Sequence, residues 1–238
     1  MIFSHVFSEF YGRKCISTET MNLEEFKKFV DSTHKFIYKP LEGGQGKGIQ
    51  VFENIGKSNY MEIYEELKET HGIIEEWIHQ HPTMNKLYAD AVNIIRIQTI
   101  YDQRGCHFLC ATLTIGYKNK IANASSNSIF ALVDVKNGKV STDGCDYNDN
   151  RYINHPETGI IIKGFQIPMW NEILKMLEKA ASRVPQIGYV GWDIAITKNG
   201  PLIIEGNNDA GYVGYQLEGL CDGYGQKEKY LQFLNDVI

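Results

Sequence analysis

Near the C-terminal end, three oxygen-bearing side chains stand at spacings that suit a metal-dependent reaction. In GYVGWDIAITKNGPLIIEGNN, residues 188–208, two apolar runs flank Lys198-Asn199-Gly200-Pro201. Asn-Gly between β-rich runs signals a hairpin, because both residues tolerate positive φ. The hairpin puts Asp193 on its first strand and Glu205 and Asn207 on its second. Glu205 and Asn207 are two apart, so their side chains share a face. Two carboxylates and an amide oxygen on one face make an oxygen cage for a hard cation such as Mg²⁺, which completes its shell with water and phosphate oxygens. An ordinary solvated hairpin with acidic ends would read the same way. Taken alone, the hairpin leaves both readings open.

Three other stretches carry residues that could work with such a cation. LEGGQGKGIQVFE holds four glycines in six residues, Gly43, Gly44, Gly46 and Gly48, with Gln45 and Lys47 among them and Lys39 just before. Glycines this dense cannot hold a regular element. Between two strand-like segments they form a hairpin loop whose bare N–H groups can approach phosphates. The loop lacks the GK[ST] ending of a Walker loop and leads into a strand, and a plain mobile turn is the alternative. GIIEEWI, residues 72–78, sets Glu75 and Glu76 inside an apolar segment. At most one of them can face a core, and it would then need a partner. The segment is either a strand end at the surface or a hinge that offers backbone groups and one carboxylate to a base. Arg96, inside the strand-like run 91–101 with Asn93, is seldom buried without an anion. It is either half of a structural salt bridge or a clamp on a phosphoryl or carboxylate group.

The elements that must position these groups are partly legible. Residues 1–21 show no clear period. Asn22-Leu-Glu-Glu25 is a capping box ahead of Phe26, Phe29 and Val30 at helical spacing. A strand over 35–39 stops at Pro40. The pattern predicts a helix over 60–71 closed by Gly72 at its C′ position, then a strand over 72–78. His79, His81 and Pro82 end that strand, and their irregular spacing fits solvated loop residues better than a metal site. Strands follow over 91–101, 108–117 and 128–135, with the polar loop KNKIANASSN between the last two. Residues 141–164 read as a long polar excursion. Pro168 opens a helix at N1, with Met169, Ile173, Leu174, Leu177, Ala181 and Val184 as its apolar stripe. After the hairpin come NNDAGYVGYQLEG, residues 207–219, and a short closing helix over 227–237.

Composition narrows the class. With 238 residues the chain can form one large domain or two lobes with real cores. Its 43% hydrophobic and 22% charged content is that of a globular protein. No apolar run approaches about 18 residues, so no membrane span is expected. The N-terminus lacks the basic start and apolar core of a signal peptide, which points to the cytoplasm. Five cysteines, none in a CxxC pattern, suit free thiols in a reducing compartment rather than a zinc site. A net charge of −5 argues against a nucleic-acid partner. No Ser-His-Asp or Cys-His arrangement suggests hydrolase chemistry.

The order of these pieces resembles the ATP-grasp superfamily, and within it the sugar-transfer-associated group. KPLEGGQGKGI, IIEEWI, VNIIRIQT and VGWDIAITKNGPLIIEGN carry the resemblance over roughly residues 35–208. It implies an α+β fold of two lobes with the nucleotide between them. The lobes would be residues 1–80, with the glycine-rich lid, and residues 81–238, with the metal site. By the same resemblance Lys39 contacts the ATP phosphates, and Gly43, Gly44, Gln45, Gly46, Lys47 and Gly48 close over them. Glu75, Glu76, Trp77 and Ile78 form the adenine hinge. Arg96 and Lys47 are the catalytic cations, and Asp193, Glu205 and Asn207 hold Mg²⁺. ATP-grasp ligases usually carry a further N-terminal domain before the lysine strand, and only 38 residues precede Lys39 here. That leaves the acceptor site to the C-terminal lobe alone, or to completion by a partner subunit or a second copy.

The activity implied is a carboxylate–amine ligase. Transfer of the γ-phosphoryl to a carboxylate gives an acyl phosphate, which an amine attacks with release of ADP and phosphate. The substrates would be small carboxylates and amines, sugar-linked ones included, in surface polysaccharide or glycopeptide assembly. A kinase on the same scaffold, or a nucleotide-binding subunit without turnover, is the alternative.

Overall fold

The computed structural model describes residues 2–42, 46–118, 122, 128–211, 220, 227–228 and 230–231. Gly43, Gly44 and Gln45 lie outside them. So do most of the expected polar loop at 118–127, residues 212–219 of the stretch after the hairpin, and much of the expected closing helix. The chain divides into two compact units, Met1–Ile78 and His79–Ile238.

The first unit is built on an antiparallel sheet. It runs α1 (Ile2–Val6), α2 (Ser8–Tyr11), β1 (Cys15–Ser17), α3 (Leu23–Thr33), β2 (Lys35–Pro40), β3 (Gln50–Glu53), a 3₁₀ turn (Lys57–Asn59), α4 (Tyr60–Lys68) and β4 (Gly72–Glu76). Among the described residues the sheet order is β1-β4-β2-β3. The capping box forms as expected: the Asn22 side chain accepts from the Glu25 N–H, and the Glu25 carboxylate accepts from the Asn22 N–H, each at 3.0 Å. Phe26 and Phe29 of α3 then meet Phe36 of β2 and Tyr60 and Tyr64 of α4 in one aromatic core. Each such side chain, fully buried, stabilises the fold by roughly 1.5–3 kcal/mol. β2 and β3 pair from Lys35↔Glu53 to Tyr38↔Gln50, so the glycine-rich stretch is the connection of a hairpin.

Helix α4 is shorter than expected. It stops at Lys68, where the Thr70 hydroxyl donates to the Leu67 carbonyl at 2.5 Å and takes an acceptor that a further turn would use. Gly72 is therefore not a helix cap. It opens β4 where a Cβ would lie 2.1 Å from the Tyr38 ring and 2.7 Å from the Lys39 carbonyl oxygen. Its lack of a side chain permits that approach.

The second unit runs α5 (Pro82–Leu87), β5 (Ile94–Asp102), β6 (Gly105–Ile115), β7 (Ile129–Asp134), β8 (Lys139–Val140), β9 (Gly144–Cys145), β10 (Arg151–Tyr152), α6 (Trp170–Arg183), β11 (Tyr189–Thr197) and β12 (Gly200–Asn207). Among the described residues its antiparallel sheet has the order β10-β9-β7-β6-β5-β11-β12, with β8 on β7. α6 packs against β5, β6 and β12. Its start departs from expectation. Met169, in the left-handed region at φ 55°, precedes Trp170, so Pro168 is not N1. The Trp170 indole N–H reaches the Val135 carbonyl at 2.8 Å and anchors that end. α5 is a further addition: His81 caps it, its Nδ1 accepting from the Thr83 N–H, with Pro82 in the first turn.

Buried amides brace the entry to β5. The Asn93 side chain donates to Gln80 Oε1, the Met84 carbonyl and the Tyr88 carbonyl, and accepts from the Gly116 N–H. These bonds fix β5 in register, and with it Arg96.

The hairpin of β11 and β12 closes with Thr197↔Gly200, so its turn is Lys198-Asn199 rather than Asn199-Gly200. Gly200, at φ 135°, supplies the left-handed backbone on the strand itself. The register shifts after the Asp193↔Glu205 pair, so that Ile194 pairs with Ile203.

Candidate functional site

The described site residues fall into two groups, one in each unit. In the second unit, the register aligns Arg96 of β5 with Asp193 of β11, and Asp193 with Glu205 of β12. Three charged side chains thus form a row across three adjacent strands. The next row on that face is Gln98, Gly191 and Asn207. Arg96 grips Asp193 with both forks: Nε donates to Oδ1, and Nη2 donates to Oδ2 at 2.7 Å. Glu205 Oε1 lies 4.0 Å from Arg96 Nη2 and accepts from Asn207 Nδ2 at 3.1 Å. The Asn207 amide nitrogen therefore faces Glu205, and its carbonyl oxygen remains the acceptor end.

Burial separates the two carboxylates. The Asp193 side chain is 10% exposed and that of Glu205 is 53%. Burial pushes the Asp193 carboxyl up to about 6; the Arg96 guanidinium opposes this, and the neighbouring Glu205 carboxylate adds to it. Two close carboxylates facing one guanidinium, with an amide oxygen alongside, form a donor set that fits a hard cation. Among the described residues no group of three or more His, Cys, Asp or Glu has metal-binding geometry, so the fit rests on this mixed set. Arg96 makes a salt bridge to Asp193 while 26% of its side chain stays exposed.

Gly191 shapes the same face. A Cβ there would stand 2.6 Å from the Ala210 Cβ and 3.4 Å from Arg96 Cδ. The segment after β12 uses that space to fold back beside Arg96, and the Gly211 carbonyl accepts from Gln98 Nε2 at 3.3 Å. Gln98 is fully buried, and its Oε1 accepts from the Cys110 thiol at 3.1 Å and from the Tyr230 hydroxyl.

In the first unit the organising residue is Glu75. Opposite Ile37 on β4, it faces Lys39, two residues further along β2. Its side chain is 3% exposed. Oε1 accepts from the Tyr11 hydroxyl at 2.5 Å, and Oε2 accepts from Arg13 Nε and Lys39 Nζ, each at 2.9 Å. Burial alone would raise the Glu75 carboxyl; the Lys39 and Arg13 charges, with hydrogen bonds from Arg13 and Tyr11, outweigh it and hold the group at about 2. The one acidic residue expected to need a buried partner has three. Its carboxylate oxygens thus meet Tyr11, Arg13 and Lys39.

The rest of the expected hinge is partly engaged. The Glu76 N–H donates to the Lys14 carbonyl at 2.9 Å and the Trp77 N–H to the Lys35 carbonyl at 3.1 Å. Lys35 Nζ lies 3.8 Å over the Trp77 ring and 3.0 Å from Glu53. Ile78 is buried, and Lys47 is exposed beside Gly46 and Gly48, both at positive φ.

Tyr11, Arg13 and Gln98 were not singled out from the sequence. Only one signal pointed to the first two: a Glu inside an apolar strand demands a partner. The partners lie 62 and 64 residues away in sequence, in a segment without periodicity.

Comparison with known proteins places this geometry in a family. The family model described as sugar-transfer associated ATP-grasp matches residues 8–223. No curated protein matches the chain. Among solved structures, the chain is similar to the ATP-grasp ligase PsnB complexed with minimal precursor, Mg and ADP, at 14% identity and TM-score 0.55, covering 97% of this chain and 56% of that one. It is similar to N5-carboxyaminoimidazole synthetase from Staphylococcus aureus complexed with ADP, at 12% identity and TM-score 0.58, covering 96% and 48%. It is also similar to the D-cycloserine synthetase DcsG, at 10% identity and TM-score 0.53, covering 98% and 67%. The chain thus spans about half to two thirds of the length of these structures. At such identities the likeness is one of fold.

Proposed function

The chain belongs to the sugar-transfer associated ATP-grasp family, and on that premise we propose that it is an ATP- and Mg²⁺-dependent carboxylate–amine ligase. The observation that carries this reading is the row of Arg96, Asp193 and Glu205 with Asn207 beside it. Oxygen donors for a cation stand there next to a guanidinium that can face developing negative charge. PsnB was solved with Mg and ADP, and the synthetase from Staphylococcus aureus with ADP, which supports the same ligands for this fold.

Lys39, held by Glu75, contacts the nucleotide phosphates, and Lys47 with the glycine-rich loop covers them. Glu76, Trp77 and Ile78 border the adenine. Asp193, Glu205 and Asn207 would hold Mg²⁺, which would supply positive charge against the nucleotide phosphates. Arg96 steadies the transferred phosphoryl group. In the reaction a substrate carboxylate oxygen attacks the γ-phosphorus and ADP leaves. The amine nitrogen then attacks the acyl carbon, phosphate leaves with the C–O bond electrons, and the nitrogen loses a proton. Positioning and charge stabilisation account for most of the catalysis such a step needs from protein. The carboxylate and amine belong to the assembly of surface polysaccharide or a glycopeptide.

Incubation with Mg·ATP, hydroxylamine and pools of carboxylic acids tests the reading. ADP together with a hydroxamate from one pool is the expected result, because hydroxylamine intercepts an acyl phosphate. ADP with a phosphorylated product stable to hydroxylamine would replace the ligase with a kinase. ATP binding without any ADP would replace it with a binding subunit.

A further inference from the structure

The resemblance assigns nothing to the segment before β1, yet that segment closes on Glu75, which also holds Lys39. We propose that Tyr11 and Arg13 are positioning residues for Lys39, acting through Glu75. The inference rests on the reading of Lys39 as a phosphate contact. It adds the N-terminal stretch, residues 8–14, to the nucleotide-binding machinery.

The bonds divide the work. Tyr11 holds Oε1 of Glu75 and thereby fixes the rotation of the carboxylate. Oε2 is left to two cations, Arg13 and Lys39, at equal distance. Arg13 is itself clasped: its Nη1 donates to the Tyr11 carbonyl at 2.9 Å, and its guanidinium lies 3.6 Å over the Tyr11 ring. Its side chain is as buried as that of Glu75.

Sharing one oxygen changes what Lys39 can do. A buried carboxylate facing a single ammonium attracts it strongly, because the local dielectric is low. With Arg13 taking part of that charge, Lys39 is anchored but not captured. An ammonium has three donors on a flexible stem. One donor on Glu75 sets its place, and the others remain to meet a phosphate. Loss of Arg13 would give Lys39 the whole carboxylate and draw it off the nucleotide. Loss of Tyr11 would let the carboxylate turn and blur the position of the ammonium.

Calorimetric titration with ADP tests this on the full chain, comparing wild type, Arg13→Gln, Lys39→Gln and the double variant. Arg13→Gln is expected to weaken ADP about tenfold, and Lys39→Gln at least as much. The double variant is expected to bind no more weakly than Lys39→Gln alone, because Arg13 acts through Lys39. A merely structural Arg13 would lower the melting temperature while weakening ADP by the same factor with or without Lys39, and that additivity would overturn the proposal. If Arg13→Gln fails to fold, Tyr11→Phe takes its place. It keeps the ring, loses the bond to Oε1, and is expected to weaken ADP about threefold only when Lys39 is present. Unchanged affinity in Tyr11→Phe would overturn the proposal. A folded wild type that binds no ADP would overturn the reading of Lys39, and this inference with it.

Discussion

Two carboxylates in this chain, Glu75 and Asp193, are both buried and both gripped by an arginine, yet they behave in opposite ways. Glu75 is held at about 2, and Asp193 is pushed to about 6. The difference lies in the company each keeps. Glu75 faces two cations and a phenol. Asp193 faces one guanidinium and a second carboxylate. In the first cluster the carboxylate is fully compensated by the protein's own cations. The second has more carboxylate than its guanidinium balances, which is the state expected of a place that receives a cation. Burial raises both carboxyls; at Glu75 the two cations and the phenol outweigh it, and at Asp193 the single guanidinium does not.

The largest expected effect is on the satisfied cluster. Glu75→Ala leaves Arg13 and Lys39 without their shared anion and is expected to cost about 3–5 kcal/mol of stability. Urea unfolding measures it, and a loss below about 1 kcal/mol would remove Glu75 from its central place. The same cluster sets an acid dependence. Because the folded carboxyl lies below its ordinary value of 4.5, its contribution is full above that pH and is lost as pH falls toward 2. The span corresponds to about 3 kcal/mol. The stability difference between wild type and Glu75→Gln is expected to be constant above about pH 5 and to shrink below it. A difference that grew on acidification would contradict the assigned sign.

The other cluster is expected to respond in activity rather than in stability. If the proposed cation site is right, Glu205→Gln is expected to lower turnover about a hundredfold while changing stability by less than about 0.5 kcal/mol, since the charge is half-exposed. Steady-state kinetics and a thermal melt on the same sample separate the two. A purely structural effect concerns Gly191. Gly191→Ala forces a methyl group against Ala210 and is expected to cost about 1–3 kcal/mol, with ADP affinity kept. A melting temperature equal to wild type would show that the segment after β12 yields freely.

The same contrast marks what could be read from the sequence. The placement of Asp193, Glu205 and Asn207 on one hairpin was legible because a strand has a period of two and a hairpin brings its ends together. The capping box at Asn22 was legible because it is complete within four residues. Glu75 announced its need for a partner but not the partner. Tyr11 ends α2 and Arg13 lies just beyond it, among elements of three to five residues that are too short to show a period. The starts of α5 and α6 were missed for a related reason: His81 caps through a ring nitrogen, and Met169 enters its helix from a left-handed backbone. The pairing of Arg96 with Asp193, 97 residues apart in sequence, depends on the register between β5 and β11.

The most direct test of the account is a titration with Mn²⁺, an oxygen-seeking stand-in for Mg²⁺, followed by electron paramagnetic resonance in the presence of ADP. Wild type is expected to immobilise the metal. Glu205→Gln is expected to leave it free while still binding metal-free ADP as tightly as wild type. Equal Mn²⁺ binding by the two proteins would contradict the assignment of the cation to Asp193, Glu205 and Asn207.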